Sequence, residues 1–78
     1  MPSTMDEPIE LDVCGLEPPE PLERVLDALS LLKPGQRLRM LIDREPRPLY
    51  GILERNSFAY DVNLRPDFVY EITIRHKN

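Results

Sequence analysis

Tryptophan is missing from these 78 residues, cysteine and histidine occur once each, and glycine occurs only three times. Each scarcity removes a class of protein. One cysteine excludes an internal disulfide framework, so nothing here points to an oxidising compartment. The single histidine, His76, sits near the end of the sequence with no second ligand at metal-binding spacing, so no metal site is expected. Uninterrupted apolar runs reach only three residues, so neither a membrane span nor a secretory leader is expected and the chain reads as cytoplasmic. There is no glycine-rich phosphate loop, no Ser-His-Asp set, no Cys-x-x-Cys pair and no internal repeat. The sequence calls for no cofactor.

What remains is enough for one small domain. A chain of 9.1 kDa buries roughly 63 % of its unfolded surface by area scaling, which supports a cooperative fold with a thin margin. The net charge of −4 argues against a nucleic-acid partner. Charge is also uneven along the chain. Residues 1–23 carry seven acids and no base, whereas residues 24–78 carry ten bases against seven acids. That asymmetry fits either mutual neutralisation within one fold or a basic patch for an anionic ligand.

Residues 1–8 show no hydrophobic period and contain two prolines, which predicts a disordered tail ahead of a domain over 9–76. Ile9, Leu11 and Val13 alternate with Glu10, Asp12 and Cys14, the period of a half-buried strand that Gly15 ends. Leu22, Val25, Leu26, Leu29 and Leu32 recur at helical spacing. Pro21 suits the first turn of that helix, and Lys33-Pro34-Gly35 is expected to stop it, with Lys33 near its negative end. Leu38, Met40 and Ile42 mark a second strand, with Met40 on the core face. Leu49, Ile52 and Leu53 mark a second helix that Gly51 weakens by about 1 kcal/mol. Phe58–Leu64 and Phe68–Arg75 both alternate, joined by Arg65-Pro66-Asp67, and read as a hairpin with Tyr60 and Tyr70 on the buried side. Because all four strands have one apolar and one polar face, both helices must cover the same side. The fold class expected is α+β, a two-layer β-α-β-α-β-β sandwich on a mixed four-stranded sheet, with opposed charges pairing across its open face.

Leu11-Asp12-Val13-Cys14-Gly15-Leu16-Glu17-Pro18-Pro19-Glu20-Pro21, with Lys33-Pro34-Gly35 twelve residues on, resembles the TusA/SirA-like sulfur-carrier family. That family's signature is a Gly-Leu pair, one residue, then Cys-Pro-x-Pro at the start of the first helix. Arg44-Glu45-Pro46-Arg47-Pro48-Leu49-Tyr50 is similar to a stretch in a related group of uncharacterised TusA-like domains. The resemblance implies domains that stand alone or are fused to haemerythrin-like domains. Pro18 stands where the carriers have their sulfur-accepting cysteine, while Pro19, Glu20 and Pro21 match the motif. Persulfide chemistry needs a thiolate, and a proline supplies neither a side-chain nucleophile nor a backbone N–H. The family route of sulfur transfer is therefore closed at this position.

Two candidate sites follow. In the first, both helices start beyond the C-terminal ends of parallel strands, so Glu17, Pro18, Pro19 and Glu20 share a rim with Arg44, Glu45, Arg47 and Tyr50. Helix N-termini and arginines favour anions there, unless the acids simply pair with the arginines, and Tyr50 falls off its apolar stripe toward solvent. In the second, Cys14 is an alternative nucleophile for sulfur transfer or redox chemistry, although its strand parity points it away from that rim. The expected function is a non-catalytic interaction or small-anion-binding module with a protein partner, sulfur-relay and haemerythrin-like proteins being the classes implied. The chain is expected to be a monomer or a weak homodimer, pairing through Phe68–Arg75 if that run is an edge strand.

Overall fold

The computed structural model describes residues 7–77. Alternation and helical stripes produce β1 (Ile9–Asp12), α1 (Glu20–Ser30), β2 (Arg37–Ile42), α2 (Arg47–Arg55), β3 (Phe58–Leu64) and β4 (Tyr70–His76). The sheet order is β1-β2-β4-β3. β1 lies parallel to β2, with α1 as the crossover, while β4 is antiparallel to both β2 and β3. This is the mixed, two-layer α+β arrangement that the pattern of apolar residues implies.

One buried cluster holds the layers together. Val25, Leu29 and Leu32 from α1 and its following turn, with Leu49 and Leu53 from α2, meet Val13, Leu38, Met40, Ile42, Ile72 and Ile74 from the sheet. Both helices therefore cover the same face, as single-sided strands require. On the open face Arg39 bridges Glu10 (3.4 Å) and Glu71, and Arg75 reaches Asp61 (3.3 Å), so charges of opposite sign tie β1 to β2, β2 to β4 and β4 to β3.

Several sequence expectations give way to tertiary context. α1 ends at Ser30, so Lys33 lies beyond it in a separate turn with Gly35 at φ 85°, and the last helical turn holds no base. Leu26 is 39 % exposed, because the sheet covers a narrower stripe than the leucine spacing offers. Phe68 does not begin β4. It is the fourth residue of a turn in which its N–H donates to Arg65 O (2.9 Å), with φ 66° and its ring exposed. β4 is interior, between β2 and β3, so Phe68–Arg75 offers no free edge for pairing, and the edges of the sheet are β1 and β3. His76 is not loose: its Nε2 lies 2.9 Å from Leu32 O and its ring packs on Phe58 with centroids 4.8 Å apart. The tail expected over residues 1–8 lies mostly outside the described residues, although Gln36 Nε2 donates to Glu7 O (2.8 Å).

Candidate functional site

Parallel pairing of β1 and β2 brings both helix starts to one end of the sheet, as the crossover geometry demands. Between them opens a groove of about 250 Å³. Met40 and Ile42 form its floor, Leu22 and Val25 one wall and Leu49 the other. Five prolines surround the mouth: Pro18, Pro19 and Pro21 before and within α1, Pro46 and Pro48 before and within α2. The Pro18–Pro19 bond is cis.

The prolines decide the chemistry of this groove. A helix N-terminus attracts anions through its free N–H groups, and proline has none. Those N–H groups that remain are largely engaged. Glu20 donates to Glu17 O (2.9 Å), Glu23 to Pro19 O (3.1 Å), Arg47 to Glu45 O (3.0 Å) and Leu49 to Pro46 O (2.9 Å). The surface offered is apolar and poor in donors.

Pro18, Pro19, Arg44 and Glu45 line the groove, whereas Glu17, Glu20, Arg47 and Tyr50 do not. Glu20 pairs along its own helix with Arg24 (3.0 Å). Glu45 accepts from Arg47 Nε (3.2 Å) and from the Tyr50 hydroxyl (3.3 Å), so part of the rim's charge is neutralised internally. Arg44 is exposed at the mouth and forms no ion pair among the described residues. Tyr50 is not turned to solvent. It is half-buried and stacks on Tyr60, rings 5.1 Å apart and 3° from parallel, and burial beside Glu45 pushes its hydroxyl up to about 12.

Cys14 lies outside the groove. Its backbone N–H donates to Asp12 Oδ1 (3.0 Å), and the next N–H, of Gly15, donates to Asp43 Oδ2 (2.9 Å). Burial, reinforced by Asp12 and by the charges of Asp43 and Asp67, pushes the thiol up to about 11. Reactive cysteines sit in electropositive surroundings; this one faces carboxylates. Asp12, held by the Cys14 N–H, is correspondingly shifted down. Among the described residues no group of His, Cys, Asp and Glu is placed to hold a metal ion, and no helix is long and apolar enough to cross a membrane.

Sequence reasoning missed the floor and walls. Met40, Ile42, Val25 and Leu49 read only as core, and nothing local indicates that the two helix starts leave them reachable from one end. The proline spacing was the available signal, since each helix begins on one.

Comparison with known proteins agrees with this architecture. The family model described as "Uncharacterized conserved protein (DUF2249)" matches residues 10–76. A solved SirA-like protein from Desulfitobacterium hafniense shares the fold, with a TM-score of 0.75 and 25 % identity over 85 % of this chain and 93 % of that one. No curated protein matches this chain.

Proposed function

We propose that this chain, which belongs to that uncharacterized conserved family, is a non-catalytic interaction module whose proline-lined groove receives an apolar, extended segment of a partner protein. The observation that carries this reading is the lining itself. Apolar side chains and prolines surround the cavity, Arg44 supplies a positive charge at its mouth, and no nucleophile enters it. Prolines hold the two helix starts in fixed geometry, so little order is lost on binding. The apolar lining favours a protein segment over a small anion, because the backbone donors of the helix starts are absent or largely engaged and Arg44 is the one charged donor in the lining. Pro18, standing where the resembled carriers have a cysteine, supports a reading without sulfur transfer, and the resemblance to TusA-like domains suggests sulfur-relay or haemerythrin-like proteins as the partner classes to try.

The test is a titration of the native protein, read by amide NMR shifts, with a sulfur-relay protein, a haemerythrin-like domain and inorganic phosphate in separate arms. Shifts at Leu22, Val25, Met40 and Leu49 with either protein, weakened by Arg44→Glu, support the reading. Shifts with phosphate alone, or with no protein at these residues, overturn it.

A further inference from the structure

β3 is a seven-residue strand at the rim of the sheet, and among the described residues nothing pairs with its outer side. Its ladder to β4 is regular from end to end, with partners summing to one register from Phe58↔His76 to Leu64↔Tyr70. The bonds just beyond the strand set the phase. Arg65 N–H donates to Val69 O (2.9 Å), and Lys77 N–H donates to Ser57 O (3.0 Å), so odd-numbered residues direct their backbone groups toward β4. Alternation then leaves the N–H and C=O groups of Phe58, Tyr60, Val62 and Leu64 facing outward without partners.

Protective devices are missing from this edge. No lysine, proline or bulge interrupts β3, and its single charge is Asp61. On the helix-facing side α2 reaches Tyr60 through Tyr50, yet Val62 and Leu64 remain 41 % and 51 % exposed. An edge with open backbone groups and bare apolar side chains is a template for another strand.

We propose that the occupant is a second copy of this chain, joined antiparallel to β3 about a two-fold axis at Val62. The choice of partner and register comes from self-complementarity, which a two-fold interface requires. Centred on Val62, the strand sets Val62 against the partner's Val62, Tyr60 against the partner's Leu64, and Asp61 against the partner's Asn63. Every outward backbone group of Tyr60, Val62 and Leu64 then finds a mate, giving six N–H···O bonds (two for each of three facing pairs). Centring on Asp61 instead would oppose two like charges directly, which destabilises a cross-strand pair. Centring on Asn63 would set Tyr60 against the partner's Pro66, which has no N–H to give. The favoured register also brings Leu64 beside the partner's Tyr60 and its stacked Tyr50, covering both exposed residues. Two sheets thus become one of eight strands, with all helices on one face and both grooves still open.

The native chain tests this by sedimentation equilibrium and amide hydrogen exchange between about 10 µM and about 1 mM, the range in which small interfaces associate. Mass rises toward that of the dimer, and exchange at Tyr60, Val62 and Leu64 slows by roughly tenfold or more, while Asp61 and Asn63, already bonded to β4, change little. Val62→Lys, at a position exposed in the single chain, abolishes both effects while leaving the circular dichroism and the groove titration unchanged. A disulfide forming from Val62→Cys but not from Ala59→Cys, each in a Cys14→Ser background, fixes the register. A single-chain mass at about 1 mM, or protection gained at the odd-numbered amides instead, overturns the proposal. Because Val62 lies outside the groove, its failure leaves the groove reading standing.

Discussion

Cys14 and Pro18 stand four residues apart in the chain, yet they face different surroundings. Pro18 opens onto a cavity whose walls are apolar side chains and further prolines, with no group that attacks a substrate. Cys14 is a nucleophile by residue type, but the groove does not extend to it, and burial, with Asp12, Asp43 and Asp67, opposes its ionisation. Chemistry by a thiolate requires both a lowered pKa and a cleft at one place. Here the turn through Gly15, at φ 82° and tied to Asp43, carries the chain from one setting to the other and keeps them apart. The division separates the apolar groove from the chain's one thiol, which is why the proposed function rests on contact and not on that thiol.

The largest effect that would sharpen the contrast lies in the groove wall. Leu49 is 1 % exposed and belongs at once to the wall and to the core cluster. Leu49→Ala is expected to lower unfolding stability by about 2–5 kcal/mol in urea titrations, whereas Glu17→Ala, on the exposed rim, changes it by about 0.5 kcal/mol or less. Equal losses would show that the wall is no part of the core. Next comes thiol reactivity. With Cys14 raised from 9.0 to about 11, its thiolate is about a hundredfold scarcer at neutral pH than that of an ordinary cysteine. Alkylation at pH 7 should therefore be slower than for a free thiol by about that factor. Pro18→Cys in a Cys14→Ser background puts the sulfur at the start of α1, at the groove mouth, and should react at about the ordinary rate or faster. If the two thiols react alike, the contrast drawn between their surroundings fails.

Much of the fold could be read from local pattern because the determinants are local. Phe58–Leu64 alternates from its first residue to its last and forms β3 over that span. Leu38, Met40 and Ile42 likewise fall inward in β2. Where reading failed, the missing information came from elsewhere in the fold. Alternation carries Phe68 onto the buried parity, but Pro66 and Asp67 begin a three-residue loop that leaves Phe68 in the left-handed region. Tyr50 lies off its helix's apolar stripe, and only the position of Tyr60, on a strand ten residues later, gives it a stacking partner. That β4 sits between β2 and β3 is a matter of pairing, which no periodicity within β4 reveals. Of the candidate site, the rim was legible from prolines and charges. The floor was not, since Met40 and Ile42 look the same in sequence whether a groove or a helix lies above them.

The smallest effects separate the two settings by pH. Asp12 is held below the usual carboxylate range first by the Cys14 N–H, and Glu71 first by its bond with Arg39. A carboxyl depressed in the folded state adds stability that is present above its unfolded value and lost as pH falls through the lower, folded one. Both groups therefore weaken the fold on its acid side, below about pH 4. Cys14 runs the other way. Its folded value is raised, so its contribution is complete below 9.0 and disappears as pH climbs toward about 11. Asp12 takes part at both ends, because the carboxylate that accepts from the Cys14 backbone also opposes the thiolate. Urea midpoints at about pH 3, 6 and 10 should show Asp12→Asn flattening the acid decline and reducing the alkaline one together. Arg39→Ala should flatten only the acid decline, with an effect that shrinks in high salt as expected of an exposed pair. An alkaline decline untouched by Asp12→Asn would mean that Asp12 does not oppose the thiolate, leaving burial and the charges of Asp43 and Asp67 to raise the thiol.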